Sequence, residues 1–438
     1  MKRKLLHRLA QWKDREDRKP LIIYGARQVG KSYLIQQFGK SHFQNIIAFN
    51  FETNETLCKF FEDAIQPHAI LPYLELLSQE KIVAGESLIF FDEIQACPRA
   101  LTSLKYFCEQ APQYHIIAAG SLLGVALKRE QHSFPVGKVQ EMQLYPMDFE
   151  EFLRAMGREL LVEKIAEHYL SNKPMEESLH QLCLDSYLNY SIIGGMPEAV
   201  KNYAKHKNYL QVQEIQHSIL NAYIADMAKY ANATTSIKIR DCFRSIPTQL
   251  AKDNSKFQYK VVKRGGSAAL FGESIAWLCD AGICMKCTSA ALAQVPLKAH
   301  YELSNFKLYM GDIGLLTQHS GTPISSILSP LEQGYNFMGA LAENYVAQAL
   351  KSNGYELAYW TSEGKAEVDY LIQAGNQVIP IEVKAGTNTQ SRSLSVLMQR
   401  FHCDSAIRLS QKNFGVRNKV KEIPLYAAFC IKPDAEFP

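Results

Sequence analysis

Long uninterrupted apolar segments are missing from this chain of 438 residues. The basic N-terminal segment MKRKLLHRLAQWKDREDRKP has apolar residues at helical spacing, and no long apolar run follows it. This pattern predicts an amphipathic helix and excludes a signal peptide or a membrane span at this end. We therefore expect a cytoplasmic protein.

Disulfide spacing and strong charge are also missing. The ten cysteines are scattered, mostly in apolar runs, which favours reduced thiols. Cys284 and Cys287 form a C-x-x-C pair, but without a second pair ordinary packing is favoured over zinc. The formal charge of +4 permits a nucleic-acid partner without indicating one.

The composition is that of an ordinary globular protein, with 47% hydrophobic and 21% charged residues. These proportions argue against a disordered chain. A chain of this length is too long for one ordinary core, so we expect two or three domains.

The segment LIIYGARQVGKSYLIQQF contains the pattern G-x-x-x-x-G-K-S between an apolar run and a helical pattern. In such a loop, backbone N–H groups and the helix N-terminus bind phosphate. Lys31 would neutralise the β- and γ-phosphate oxygens, and Ser32 would bind Mg²⁺. The predicted nucleotide contacts in this segment are Gly25, Ala26, Arg27, Gln28, Val29, Gly30, Lys31, Ser32 and Tyr33.

An acidic pair ends the apolar strand of ESLIFFDEIQACPRA. Asp92 is predicted to hold Mg²⁺, directly or through water, and Glu93 to polarise the water that attacks the γ-phosphate. The next apolar strand, YHIIAAGS, ends at Ser121, which either contacts the γ-phosphate or caps a helix. These residues predict an ATPase centre with ATP and Mg²⁺ as ligands, in which Lys31 and Glu93 are catalytic.

Strand and helix patterns alternate through this part of the chain, which predicts an α/β fold with a parallel sheet covered on both faces. The strands are expected near Leu21, Ile46, Leu88, His115 and Val139. The adjacent Asp-Glu pair is typical of additional-strand P-loop ATPases, and the chain has no Asn-Lys-x-Asp motif, so ATP is favoured over GTP. We place this ATPase domain at residues 1–155.

Five motifs in one order resemble a known family: GARQVGKS, FFDEIQACP, AAGSLLG, LYPMDFEEFL and YSIIGGMPEAV. They are similar to prokaryotic AAA-type ATPases that carry a C-terminal domain of unknown function, DUF4143. FKLYMGDIGLL and GALAENYVAQAL extend the resemblance into the C-terminal half. It implies ATP binding at Gly25 to Ser32, magnesium binding and water activation at Asp92 and Glu93, and a winged-helix segment between the two ends.

The resemblance does not identify an arginine finger. The family often has Gly-Arg where this chain has Gly137-Lys138, and lysine lacks the planar fork of arginine. Arg99 and Arg129 are weaker candidates, because most surface arginines are simply solvated.

Residues 156–335 are predicted to form a helical lid and a winged-helix region. Two amphipathic helical patterns precede the strand-like segment HYELSNFKLYM. A winged helix could place four lysines of this region against DNA phosphates, namely Lys252, Lys256, Lys260 and Lys263. Equally, such a region could serve as a lid or a subunit contact in a homo-oligomer.

The segment EVDYLIQAGNQVIPIEVKAG predicts a hairpin with an Ala-Gly-Asn turn. Asp369 is placed at the end of the first strand, and Glu382 and Lys384 on one face of the second. Glu343 lies one helical turn from apolar residues in GALAENYVAQAL, so it is expected to face inward. The four residues resemble the pattern of Holliday-junction-resolvase-like and restriction-type nucleases.

This second resemblance implies a PD-(D/E)xK-type nuclease-like domain at residues 336–438. Glu343, Asp369 and Glu382 would hold Mg²⁺, and Lys384 would position or activate water, so Asp369, Glu382 and Lys384 are candidate catalytic residues. A half-exposed hairpin without metal is the alternative, because related domains can keep the fold and lose the metal.

Two functions remain open at this point. In one, ATP turnover is coupled to DNA binding or processing by the C-terminal domain. In the other, the protein is a nucleotide-gated switch or assembly module, and its C-terminal domain is an inactive scaffold that binds a partner.

Overall fold

The computed structural model describes residues 1–121, 124–125, 135–229, 233–252, 255–328, 337–362, 366–388 and 392–433. The chain folds as two compact units, residues 1–145 with 280–282 and residues 146–279 with 283–438. The first unit ends ten residues before the predicted limit at 155. None of the helices in the described ranges is long and apolar enough to cross a membrane.

The first unit alternates strands and helices, as its sequence pattern predicts. Its described strands are β1 Leu21–Tyr24, β2 Asn45–Asn50, β3 Ser87–Asp92, β4 His115–Gly120 and β5 Gln140–Gln143. Its helices with described bounds are α1 Leu5–Lys13, α2 Lys31–His42, α3 Glu55–Asp63, α4 Pro67–Ser78 and α5 Pro98–Gln110.

The described strands of this unit form a parallel sheet in the order β2-β3-β4-β1-β5. The predicted parallel sheet is therefore confirmed. Strand β4 lies between β1, which leads into the phosphate-loop motif, and β3, which ends in the acidic pair, as an additional-strand ATPase requires. Residues 88–91 of β3 are all buried, because both faces of this sheet are covered.

Aromatic side chains anchor the core of the first unit. Phe61 of α3 packs edge-on against Phe51 and Phe91, with ring centroids 5.4 and 5.9 Å apart. Asn54 begins α3 by accepting a hydrogen bond from the backbone N–H of Leu57 at 3.0 Å. This packing holds the end of β3, and therefore the acidic pair, in a fixed position.

The second unit starts with helices and continues as a mixed sheet. Its described helices are α6 Phe149–Ala155, α7 Glu159–Ser171, α8 Glu177–Ile193, α9 Pro197–His206, α10 Tyr209–Lys229, α11 Ala233–Leu250, α12 Tyr259–Val262, α13 Ala268–Asp280, α14 Ile313–Ser320, α15 Ile324–Leu328, α16 Phe337–Ser352 and α17 Ser393–Phe401. Its described strands are β6 Cys284–Ala290, β7 Tyr301–Met310, β8 Ala358–Ser362, β9 Ala366–Ala374, β10 Gln377–Val383, β11 Ala406–Ser410, β12 Gly415–Arg417 and β13 Val420–Pro424.

These strands form one sheet in the order β12-β13-β11-β10-β9-β8-β6-β7. The antiparallel pair β6–β7 follows α13, as expected for the middle region, but β6 also pairs in parallel with β8 through Thr288 and Ala358. The predicted domain boundary at residue 335 therefore falls inside a single sheet. The physical reason is that β6 has backbone groups on both edges, and each edge takes a hydrogen-bonded neighbour.

The glycine-rich segment of YSIIGGMPEAV meets the start of α14 in a buried contact. Asp312 caps α14 by accepting from the N–H of Leu315 at 2.9 Å, and its other oxygen accepts from the N–H of Gly195 at 2.6 Å. Burial raises the pKa of Asp312 to about 6, although these backbone hydrogen bonds oppose the shift. A buried carboxylate thus joins two segments that are more than 100 residues apart in the chain.

Candidate functional site

The phosphate-loop motif lies between β1 and α2, where the sequence predicts it. Gly30 precedes the first residue of α2 with a φ of 91°, a left-handed conformation that favours glycine. A Cβ atom on Gly25 would lie 2.1 Å from the carbonyl oxygen of Leu144, so this position also excludes a side chain. The loop therefore leads directly into the start of α2, where helix N–H groups point toward a bound anion.

Lys31 is held against this loop. Its side chain is 6% exposed, and its Nζ donates to the carbonyl oxygens of Gly25 and Ala26, both at 2.9 Å. Arg3 supports the same loop by donating to the carbonyl oxygens of Val29 at 3.0 Å and Tyr145 at 2.6 Å. Sequence reasoning did not identify Arg3, because a basic residue near a terminus has no local signal for this contact.

The two predicted magnesium-binding side chains of this unit are brought together. Ser32 Oγ donates to Asp92 Oδ2 at 2.8 Å. Burial raises the pKa of Asp92, although the hydrogen bond from Ser32 opposes the shift. A hydroxyl and a carboxylate are oxygen donors of the kind that Mg²⁺ takes together with phosphate oxygens and water, so the pair fits this ion.

Glu93 is placed beside this pair with a left-handed backbone, at φ 49°, which is uncommon for a residue other than glycine. Its carboxylate accepts from Gln95 Nε2 at 2.5 Å and from Ser121 Oγ at 3.0 Å. Burial alone would raise the pKa of Glu93, but these hydrogen bonds and the charge of Lys31 outweigh it and lower the pKa. The carboxylate is therefore held in its basic, ionised form.

Ser121 contacts Glu93 in this structure, and its predicted contact with the γ-phosphate stays a prediction. Its hydroxyl and its backbone N–H, at 3.2 Å, both donate to Glu93. Gln95 was not identified from the sequence, although it lies two residues after the acidic pair. Both residues hold the carboxylate that is predicted to activate water.

The other predicted nucleotide contacts divide by exposure. Ala26 and Val29 are buried and form the base of the loop. Arg27, Gln28 and Tyr33 are exposed, and Tyr33 has 60% of its surface exposed on the first turn of α2.

The arginine-finger candidates among the described residues contact other groups of the first unit. Arg99 donates through Nε to the carbonyl oxygen of Phe61 at 2.9 Å, which ties it to the end of α3. Lys138 forms a surface ion pair with Glu109 at 2.9 Å. Arg129 lies outside the described residues.

The C-terminal acids meet on α16, β9 and β10. The predicted hairpin is present as the antiparallel pair β9–β10. Asp369 lies within β9 and not at its end, and its Oδ2 accepts from the N–H of Val383 at 2.8 Å. Glu382 Oε1 is paired with Lys384 Nζ at 2.6 Å, which places both side chains on one face as predicted. Glu343 is partly buried and accepts from the hydroxyl of Tyr309 at 2.9 Å.

A further lysine, which sequence reasoning missed, lies among these acids. Lys307 of β7 has no exposed surface, and its Nζ lies 2.5 Å from Glu367 Oε1 and 3.4 Å from Glu343 Oε2. The aromatic ring of Tyr359 lies 5.2 Å from the same Nζ atom. The available signal was a single lysine in the apolar run FKLYM, where a charge must find a buried partner. We call Lys307, Glu343, Glu367, Asp369, Glu382 and Lys384 the acidic cluster.

The acidic cluster is electrostatically coupled. Burial raises the pKa of Asp369 well above its usual range, and the negative charges of Glu343 and Glu382 raise it further. Burial lowers the pKa of Lys384, but the neighbouring Glu382 outweighs this effect and the pKa is raised. Within the residues that the structure describes, no three His, Cys, Asp or Glu side chains are placed to hold one metal ion. The predicted ligands are thus close, but they do not fit a three-ligand metal site.

The C-x-x-C pair is not arranged for a shared metal either. Cys284 and Cys287 are both buried on β6, and residues three apart on a strand point to opposite faces.

Of the four lysines predicted to face DNA, Lys260 and Lys263 are exposed, whereas Lys252 and Lys256 are partly buried.

Models of known protein families match three parts of the chain. An AAA domain matches residues 17–153, a domain of unknown function named DUF8612 matches residues 184–325, and DUF4143 matches residues 338–428. Together with the phosphate loop and the parallel sheet, these matches support an AAA-type P-loop ATPase with a DUF4143 domain. This part of the predicted resemblance is confirmed, and the nuclease-like fold stays a prediction.

Two curated relatives are both described as uncharacterized proteins. One, from Haemophilus influenzae, is 27% identical over 206 residues, covering 41% of this chain and 47% of the relative. The other, from Methanocaldococcus jannaschii, is 24% identical over 252 residues, covering 53% of this chain and 52% of the relative. The chain thus spans about half the length of the curated relatives it matches.

Several solved structures are also similar. The Walker-type ATPase of Pyrococcus abyssi is 15% identical with a TM-score of 0.45, covering 73% of this chain and 95% of that chain. The ORC1 protein of Aeropyrum pernix in complex with DNA is 12% identical with a TM-score of 0.30, covering 74% and 93%. The RuvB Holliday-junction branch-migration motor of Thermotoga maritima is 16% identical with a TM-score of 0.30, covering 64% and 86%. TM-scores this low do not establish a shared function.

Proposed function

We propose that this protein binds ATP with its phosphate loop and hydrolyses it, with Glu93 as the base. The observation that carries the proposal is the hydrogen bond of 2.8 Å between Ser32 and Asp92, next to the ionised carboxylate of Glu93. This contact brings the loop and the end of β3 together at the edge of the sheet where a nucleotide phosphate would bind.

Each residue has a distinct part in this reaction. The N–H groups of the loop and the amine of Lys31 bind the β- and γ-phosphate oxygens. Ser32 and Asp92 would hold Mg²⁺, which when bound neutralises charge on those oxygens. Glu93 orients a water molecule and takes its proton as the water oxygen attacks the γ-phosphorus, while ADP leaves with the bridging oxygen. Gln95 and Ser121 fix the direction of the Glu93 carboxylate.

Replacing Glu93 tests the assignment of the base. Glu93→Gln keeps the side-chain shape and removes the base, so we expect steady-state turnover to fall by about 10²- to 10⁴-fold. Calorimetry should show nearly unchanged ATP affinity. Glu86→Gln, an exposed change in the same unit, is the matched control and should leave both quantities unchanged. Hydrolysis by Glu93→Gln at the native rate would show that another residue activates the water.

For the C-terminal domain we propose a nuclease-like fold that binds a partner under the control of the ATPase and does not cut DNA. In support of the fold, Glu343, Asp369 and Glu382 come together from one helix and two neighbouring strands. In support of the scaffold role, these acids already have protein donors or lysine partners. This favours the nucleotide-gated switch over the DNA-processing enzyme.

A cleavage assay separates these two functions. Branched, linear and single-stranded DNA are incubated with the full chain and Mg²⁺ or Mn²⁺, with and without ATP, and compared with Asp369→Asn. We expect no metal-dependent cleavage by either protein. Cleavage that disappears in Asp369→Asn would overturn the scaffold role and assign a nuclease. DNA binding without cleavage, weakened by changing the exposed Lys260 and Lys263 to glutamate, would identify DNA as the partner.

Location and assembly also belong to this proposal. Scattered thiols suit the reducing cytoplasm, so we propose a cytoplasmic protein. Self-assembly is tested by light scattering of the Glu93→Gln variant with and without ATP, because bound nucleotide then persists. A single monomer mass in both conditions would contradict a homo-oligomer.

A further inference from the structure

We propose that the ammonium group of Lys307 takes the place of a divalent cation in the acidic cluster, so that the cluster is complete without metal. This inference rests on the scaffold role proposed for the C-terminal domain. It also explains why a lysine is fully buried on β7, the last strand of its sheet.

The burial of Lys307 is the first step. Its side chain has no exposed surface, and its neighbours in β7, from Phe306 to Met310, are buried as well. An ammonium group removed from water is costly unless charges and hydrogen bonds of the protein replace the lost hydration. The position therefore requires anionic partners at short range.

The carboxylate partners of Lys307 come from two other elements of the second unit. Glu367 of β9 lies 2.5 Å from the ammonium group, and Glu343 of α16 lies 3.4 Å from it. The ring of Tyr359 on β8 adds a cation–π contact at 5.2 Å. One cation of the protein thus joins carboxylates from a helix and a strand, which is what a bound metal ion would do at this place.

The three acids predicted to bind metal also have other partners in the protein. The Glu343 oxygen that faces Lys307 accepts from the hydroxyl of Tyr309, and Asp369 accepts from the N–H of Val383. One oxygen of Glu382 is paired with Lys384. The other oxygen of Glu382 is buried and has no hydrogen-bond partner among the described residues.

An unpartnered carboxylate oxygen does not by itself make a metal site. Mg²⁺ and Mn²⁺ prefer several oxygen ligands, and a buried ammonium group next to the same carboxylates repels a second cation. A divalent ion would have to displace the contacts of Lys307 to recruit Glu343. The geometry therefore points to a cluster that excludes divalent metal as long as Lys307 is present.

The test compares Mn²⁺ binding with and without this lysine, by electron paramagnetic resonance on the full chain without nucleotide. All variants carry Asp92→Asn, which weakens the magnesium site of the phosphate loop. We expect no bound Mn²⁺ in the parent protein and one bound ion per chain in Lys307→Met. The melting temperature of Lys307→Met should be lower than that of the parent and should rise again with Mn²⁺.

Lys286→Met is the matched control. Lys286 lies on the neighbouring strand β6, is exposed, and should leave Mn²⁺ binding and stability nearly unchanged. Should Lys307→Met fail to fold, the variant Lys307→Met/Glu367→Gln removes one charge of each sign and keeps Glu343, Asp369 and Glu382. It should fold and bind Mn²⁺.

Two results would overturn the proposal. One is tight Mn²⁺ binding by the parent protein that is lost in Asp369→Asn. The other is a folded Lys307→Met or double variant that binds no Mn²⁺. Parent Mn²⁺ binding without DNA cleavage would overturn only the role of Lys307, whereas metal-dependent cleavage would overturn the scaffold role as well. ATP hydrolysis, measured on the corresponding proteins that keep Asp92, tests the first unit separately.

Discussion

Each of the two units contains a buried lysine, and the surroundings of the two lysines differ. Lys31 is 6% exposed and donates to two backbone carbonyl oxygens of its loop. Lys307 is 0% exposed and pairs with two carboxylates. Equal burial therefore does not imply an equal role. A lysine held by neutral carbonyl groups at a loop can turn to a phosphate, whereas one held by carboxylates inside a sheet stabilises the fold.

The position of each lysine in its unit explains this difference. Lys31 begins α2 at the carboxyl edge of a parallel sheet, where backbone N–H groups at the start of the helix still need an acceptor. Lys307 lies in the middle of β7, where the backbone of the strand is paired with β6 through Cys287. The first lysine thus lies next to groups that a phosphate can bind, whereas the second is buried with its carboxylate partners.

The largest expected effect separates the two lysines by ATP affinity. Lys31→Ala removes the cation that we propose contacts the β- and γ-phosphates, so we expect ATP binding to weaken by about 100-fold or more. Its melting temperature should change little, in contrast to that of Lys307→Met. Lys40→Ala, an exposed change on the same helix, serves as the control for calorimetry. Unchanged ATP affinity in Lys31→Ala would contradict the phosphate-loop assignment. It would also contradict the different roles inferred for Lys31 and Lys307.

A smaller effect is expected at Glu93, the acid of the first unit that accepts hydrogen bonds from Gln95 and Ser121. Gln95→Ala removes a charge-assisted hydrogen bond to Glu93, and we expect kcat to fall by about 10-fold. KM for ATP should stay nearly constant, because Gln95 positions the base and does not contact the phosphate loop. The exposed Gln110→Ala on α5 is the control in steady-state kinetics. Equal changes in kcat and KM would instead indicate a general loss of structure.

The smallest expected effect tests whether buried acids of the second unit need a cation at all. Asp312 is satisfied by backbone N–H groups, and burial raises its pKa to about 6. Because the folded pKa lies above the value of 3.8 for an ordinary aspartate, the folded state binds the extra proton between these values. The contribution of Asp312 to stability is therefore fully present at low pH and is lost as pH rises through about 6.

Asp312→Asn removes this titration. We expect the variant to be less stable than the parent, and the deficit should be larger at pH 5 than at pH 7 by about 1–3 kcal/mol. Chemical denaturation at both pH values measures the difference, and the exposed Asp185→Asn should follow the parent. A deficit that does not change with pH would show that Asp312 is ionised throughout, in spite of its burial.

Local patterns predicted the parts of the sites that are close in sequence. The phosphate loop, the strand before it and the helix after it come from one segment, so spacing alone places Lys31 and Ser32 correctly. The pairing of Glu382 with Lys384 also follows from the period of a strand. In contrast, Asp369 was placed at a strand end, although β9 continues on both sides of it, because apolar residues do not mark where a buried strand begins.

Contacts between distant segments were not predictable in this way. Because β6 pairs with β8, the strands β6 and β7 belong to the same sheet as the C-terminal strands and not to a separate middle region. No local sequence pattern indicates which strands become neighbours in a sheet. For the same reason, Lys307 was missed, since its partners Glu343 and Glu367 are 36 and 60 residues away in the chain.

The sequence by itself determined the position of the phosphate-loop motif in the first unit, because the strand, loop and helix that form it come from one short segment. It also determined that acids would gather near the C-terminal hairpin. Only the tertiary structure decided which cations these acids contact. A buried charge is costly without a partner of opposite sign, and the packing of β7, β9 and α16 placed the ammonium group of Lys307 next to Glu343 and Glu367.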